Sequence, residues 1–200
     1  MGILISLAIF FSAVIVHEFS HAWVANLLGD STAKSRGRLT LNPLAHIDPF
    51  GTVILPMLLI LTKAPVLFGW AKPVPVNFAN LGNPKRDMIW VGLAGPASNL
   101  IMAAACAGII KFFSPLNDMA AVIILQFLMI NTVLAVFNLI PIPPLDGSRV
   151  LMGMSPLVIA RQIARLEPYG FLLLFALLYA GLFDRIVWPL ANLILAILLR

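Results

Sequence analysis

The chain has 200 residues, of which 61% are hydrophobic and only 10% are charged. Soluble domains carry roughly 25% charged residues, so this composition excludes a water-exposed globule and points to an all-α polytopic membrane protein. Its net charge of +5 is spread through the breaks between apolar runs, which fits orientation in a bilayer and excludes a nucleic-acid partner.

Residues 3–27 form the first apolar run, long enough to cross as a helix, with no basic n-region or cleavage site of the kind a removed leader carries. A polar loop follows at 29–50, in which Arg38-Leu39-Thr40-Leu41 has the alternation of a short strand. Residues 51–62 are apolar but fall short of the roughly 20 residues a crossing needs, so a re-entrant segment is expected there. The basic loop at 69–87 contains Lys72-Pro73-Val74-Pro75-Val76, which reads as extended chain because residues before proline avoid the helical region. Trp70 and Lys72 in this loop suit an interfacial anchor.

Two further spanning runs, 88–113 and 120–140, are joined by a short turn around 114–118. A proline-rich stretch at 141–147 ends the second. Residues 155–167 carry Arg161, Arg165 and Glu167 at helical spacing, a pattern suited to the membrane surface. The apolar tail, interrupted at Asp184-Arg185 and Pro189, is expected to close the chain as a helical hairpin within about 155–200. The whole reads as one membrane-embedded domain, 1–200, with a catalytic core at about 3–150.

Charge orders this topology. The loops at 29–50 and 69–87 and the stretch 141–167 each hold three basic residues, whereas the turn near 111–118 has Lys111 set against Asp118. Positive loops stay cytoplasmic. The N-terminus is therefore expected outside a multi-pass cell-membrane protein, with the first and the 120–140 helices both running inward. Their ends then reach one depth near the cytoplasmic face.

His17-Glu18-Phe19-Ser20-His21 lies in the first run. The H-E-x-x-H spacing puts two imidazoles on one helix face for zinc, with the glutamate as general base. Ionisable groups inside a membrane are costly and mark function. A catalytic zinc needs a third protein ligand, and besides these residues the chain offers His46, Glu167 and six aspartates. Asp146 suits best, because it follows an inward-running helix broken by Pro141, Pro143 and Pro144, and free carbonyls at membrane depth must line a cavity. Asn138, at the helix end, could donate to an oxyanion or satisfy backbone freed by Pro141. His46 reads as a loop-ordering histidine. Gly95 reads as a site of close helix packing, and Asn99 is weighed between that and holding a substrate strand.

The H-E-x-x-H, the Gly95-Pro96-Ala97-Ser98-Asn99 run and the N-x-x-P-x-x-x-L-D-G run from Asn138 to Gly147 resemble the site-2 protease family of intramembrane zinc metalloproteases. The Leu41–Pro49 and Gly69–Asn77 stretches are similar to its compact prokaryotic members, so the likeness covers roughly residues 8–150. The resemblance implies one Zn2+ on His17, His21 and Asp146, Glu18 as base, Asn138 near the oxyanion, and a single-span membrane protein as substrate. Such a substrate must be unwound, and either 36–41 or 72–77 is expected to capture it as an added strand. The 169–199 tail offers a surface for a homo-oligomer. The competing reading from the residues is a transporter or channel that uses the His/Asp cluster as an ion pathway.

Overall fold

The computed structural model describes residues 3–62, 71–113 and 118–200. Trp70 and the turn at 114–117 lie outside these segments. The described helices are, in chain order, α1 (Ile3–Leu27), α2 (Thr32–Ser35), α3 (Leu55–Leu61), α4 (Pro84–Phe112), α5 (Asp118–Asn138), α6 (Asp146–Met154), α7 (Leu157–Ala164), α8 (Gly170–Tyr179) and α9 (Trp188–Leu199). The fold is all-helical, and no β-strand occurs among the described residues.

Helices α1, α4 and α5 are long and apolar enough to cross a membrane. At 1.5 Å per residue even α5 spans about 32 Å, enough for a hydrocarbon core of about 30 Å. Large side chains such as Ile101, Val122, Leu125 and Met129 point outward, as lipid-facing positions should. The segment Pro49–Leu61 is helical but short of a crossing length. Asp48 starts it by accepting from the N–H groups of Phe50 and Gly51.

Helix α4 is the hub, packing against α1, α5 and α6. Small residues make this possible: Ala103 and Ala107 are buried against Leu128 of α5. The proline-rich break after α5 then turns the chain so that α6 starts at Asp146 and docks on α4. Gly147 is needed for that turn. A Cβ there would stand 2.2 Å from the Leu139 carbonyl oxygen and 2.5 Å from that of Ile140.

Two expectations need correction. The Arg38–Leu41 stretch is not a strand but an irregular run with a bend at Leu39-Thr40, following the turn at Arg36-Gly37. The Arg38 N–H donates to the Ala33 carbonyl at 2.8 Å, and the Thr40 carbonyl accepts from the His46 ring, so its polar groups face inward and not along an edge. By contrast, residues 71–77 form a run without helix or turn. The tail contains two helices as expected, but Leu157–Tyr179 and Phe183–Leu199 meet with a 73° bend and not the reversal of a hairpin. Leu174, Leu182, Val187 and Ala191 all enter one cluster with Val136, Ile140 and Leu145. Helix α9 packs on α5, and α8 joins the same cluster through Leu174 with Gly170 against the Pro143-Pro144 break.

Gly147→Ala is expected to lower stability by about 3 kcal/mol, because backbone and not a flexible side chain occupies the space. Gly108→Ala, which meets nothing within 4 Å, should be neutral or stabilising by up to about 1 kcal/mol. Thermal unfolding of both variants in detergent checks the contrast.

Candidate metal centre

His17 and His21 are four residues apart on α1, so their rings share a face. Both are buried. Each ring has its Nδ1 proton committed to α4: His17 donates to Asn99 Oδ1 at 2.6 Å, and His21 to the Val91 carbonyl at 2.7 Å. In the neutral rings both Nε2 atoms therefore carry lone pairs. These face each other at 3.0 Å, and Asp146 Oδ2 lies 3.0 Å from the first and 3.2 Å from the second.

Three electron-pair donors at this separation repel unless a cation sits among them. Tetrahedral zinc with bonds of about 2.0–2.1 Å separates its ligand atoms by about 3.3 Å, so the spacing fits with small adjustment. The donor set, two imidazoles and one carboxylate, is that of a catalytic zinc site with a free fourth position. Two imidazoles and a carboxylate also accept iron or cobalt. A metal would take Asp146 as its carboxylate and both imidazoles in the neutral form that offers Nε2.

The support behind the histidines is a chain of amides. Asn99 Nδ2 donates to Asn131 Oδ1 at 2.8 Å and to the Ala13 carbonyl at 3.3 Å, and Asn131 in turn donates to the Phe127 carbonyl. Both asparagines are fully buried. Asn99 thus fixes the tautomer and orientation of His17, a role different from the packing or strand-holding weighed for it. Gly95 supplies space: a Cβ there would fall 2.4 Å from His21 Nε2 and 2.5 Å from His17 Nε2.

Glu18 is half-buried, and its Oε2 accepts the Val74 N–H at 2.7 Å. The 71–77 run thus passes directly over the acid beside the cluster. Asp30 anchors the far end of this run. Its carboxylate accepts from the Asn77 N–H at 2.7 Å, from Asn80 Nδ2 at 3.0 Å, and from the Thr32 hydroxyl and N–H. Asn138 donates to the Leu134 carbonyl one turn back on α5, and no hydrogen bond joins it to the cluster among the described residues. His46 is buried and donates to the Thr40 carbonyl, while its own carbonyl accepts the Lys72 N–H. It orders the loop, as expected.

Sequence reasoning missed Asn131, Asp30 and the contact of Val74 with Glu18. Nothing marks Asn131 in an apolar helix except the cost of burying an amide there. For Val74 a signal was present: between Pro73 and Pro75 it has the one N–H of the three.

The chain is 37% identical over 196 residues to YwhC of Bacillus subtilis (strain 168), a match covering 88% of this chain and 81% of that protein. It is 33% identical over 173 residues to Rip2 of Mycolicibacterium smegmatis, covering 85% of this chain and 64% of Rip2. Both relatives bear the name "Putative zinc metalloprotease". No protein-family model matches the chain, and no solved structure matches it significantly.

Two predictions test this geometry. Asn99→Ala should weaken zinc binding about 10- to 100-fold by freeing the His17 ring, read by competition with a coloured chelator. Burial would raise the Asp30 pKa, but the hydrogen bonds from Thr32, Asn80 and Asn77 outweigh it and hold it below its ordinary value. Its contribution to stability is therefore complete above about pH 4 and fades as the pH falls through the lowered folded-state value. Asp30→Asn should lower the Tm at pH 7 and flatten the acid side of the Tm-against-pH curve.

Two buried imidazoles on an apolar helix long enough to cross a bilayer, their lone pairs converging with one carboxylate, agree with these relatives, and the chain belongs to the site-2 protease family of zinc metalloproteases.

Proposed function

We propose that the protein is a zinc-dependent intramembrane endopeptidase that hydrolyses a peptide bond in or near the transmembrane segment of a single-span membrane protein. The observation that carries this reading is the meeting of His17 Nε2, His21 Nε2 and Asp146 Oδ2 within a few ångströms, with Glu18 next in sequence to His17 on an apolar helix. Zinc bound by these three atoms would lower the pKa of a water towards about 7 and polarise the substrate carbonyl.

The protein's own groups do the rest. Glu18 takes the proton of the attacking water on a carboxylate oxygen and delivers it to the nitrogen of the departing amine. Val91, Asn99 and Asn131 keep both imidazoles in the tautomer that offers Nε2. Asn138, with one amide hydrogen given to Leu134, is retained as the candidate donor to the carbonyl oxygen. Apolar helices around the cluster limit bulk water, which strengthens each of these polar contacts.

A transmembrane helix has its carbonyls bonded within itself and must open before attack. Of the two stretches considered for capture, 72–77 is favoured, since it runs beside Glu18, whereas Arg38 of the other stretch turns inward. The basic loops support an active site on the cytoplasmic side and an N-terminus outside.

The test is purified protein in vesicles with zinc and a candidate single-span substrate, wild type against Glu18→Gln. The variant should keep one zinc per chain and lose about 10²- to 10⁴-fold in cleavage rate. Undiminished cleavage by Glu18→Gln would refute the assignment, and ion flux that survives the substitution without any cleavage would favour a transporter.

A further inference from the structure

Arg38 is a buried cation with no carboxylate partner among the described residues. Burying a guanidinium costs several kcal/mol unless its donors are met. Here one terminal nitrogen donates to the Lys72 carbonyl at 2.7 Å and reaches the Pro73 carbonyl at 3.4 Å. The buried Nε has no partner among the described residues, so these two carbonyls carry the side chain's polar contacts. Those two carbonyls immediately precede the Val74 N–H that Glu18 accepts. Proline chemistry explains why this point is singled out. Pro73 and Pro75 have no N–H, so Val74 carries the one donor in that triplet, and a small shift of the chain would leave Glu18 facing none.

We propose that Arg38 is a positioning residue for the hydrolytic site: by gripping the carbonyls of Lys72 and Pro73, it sets the Val74 N–H against Glu18 and so fixes where the base points. The proposal rests on the endopeptidase reading for its catalytic meaning, but the mechanical link from Arg38 to Val74 stands apart from it. Three other contacts hold the same run. The His46 carbonyl takes the Lys72 N–H, Asp30 takes the Asn77 N–H, and Val76 packs beside Ala25, Leu81 and Val91. Of these holding contacts Arg38 is the nearest to Val74, and it reaches the carbonyls on both sides of Pro73. A guanidinium suits this task because its donors are planar and permanently charged, so the grip does not vary with pH.

Two measurements on the full-length zinc-loaded protein test this. The first is amide hydrogen exchange resolved to Val74. Arg38→Ala should accelerate exchange there at least tenfold while one zinc per chain is retained, and Arg38→Lys, which keeps a donor, should give a smaller acceleration. Unchanged Val74 protection in zinc-loaded Arg38→Ala would overturn the proposal whatever the protein does to substrates. If Arg38→Ala loses its zinc, Arg38→Lys decides alone, and native protection there with lost turnover would also overturn it.

The second is a cleavage-rate cycle of Arg38→Ala, Val74→Pro and the double variant. Each single change should slow cleavage about 10- to 100-fold, the size expected for a hydrogen bond to a charged group. The double variant should be no slower than Val74→Pro, because both changes break one linkage. Multiplying effects would show that Arg38 acts elsewhere. A wild type with no zinc-dependent cleavage, together with fast Val74 exchange in Arg38→Ala, would remove the endopeptidase reading and leave the linkage intact.

Discussion

The arrangement depends on where two protons are not. His17 and His21 each give their Nδ1 hydrogen to α4, and this commitment aims two lone pairs at the space beside Asp146. Without those bonds either ring could rotate or change tautomer and present an N–H instead. A membrane helix has few polar groups available for such service. Here one acceptor is a backbone carbonyl, Val91, and the other is an amide held by a second amide, Asn99 on Asn131. Convergence of acceptors is expensive when empty and strongly favourable around a cation, so the fold stores a preference for metal in its choice of hydrogen-bond partners.

A second constraint is length. The histidines lie in the C-terminal half of α1, and Asp146 comes just past the end of α5. The two groups meet because both helices deliver their ends to one level and the proline-rich break turns the chain back over α4. Gly147 then lets α6 start against the carbonyls of Leu139 and Ile140. Arg149, one turn further along α6, pairs with Glu167 and lies over the Phe78 ring at 5.2 Å. The aspartate is thus fixed from both sides by contacts that have nothing to do with metal.

Much of this was legible in the residues. Spacing identified the histidine pair, and charge distribution brought the ends of α1 and α5 to one depth, from which Asp146 followed. What was not legible has a common physical cause. Arg38-Leu39-Thr40-Leu41 alternates like a strand, but alternation records which side chains differ and not where backbone groups find partners. The His46 ring and the Ala33 carbonyl claimed those groups first. Asn131 was invisible because its partner, Asn99, is 32 residues away on another helix. The tail angle goes with α9 resting on α5 while α8 rests on the proline-rich break, long-range packing that no local pattern encodes.

Positions 91, 95, 99, 103 and 107 of α4 lie along one inclined line that turns about 40° round the helix at each four-residue step, and all five are buried. The upper part of that line serves the imidazoles through Val91, Gly95 and Asn99, while Ala103 and Ala107 seat the helix on α5. A roll of one residue, about 100°, would turn Ala94 or Pro96 towards the rings and withdraw the amide. Rotation of α4 about its own axis is therefore locked at both ends of the stripe. A bilayer of different thickness is thus expected to be met by tilting of this helix together with its neighbours and not by its spinning.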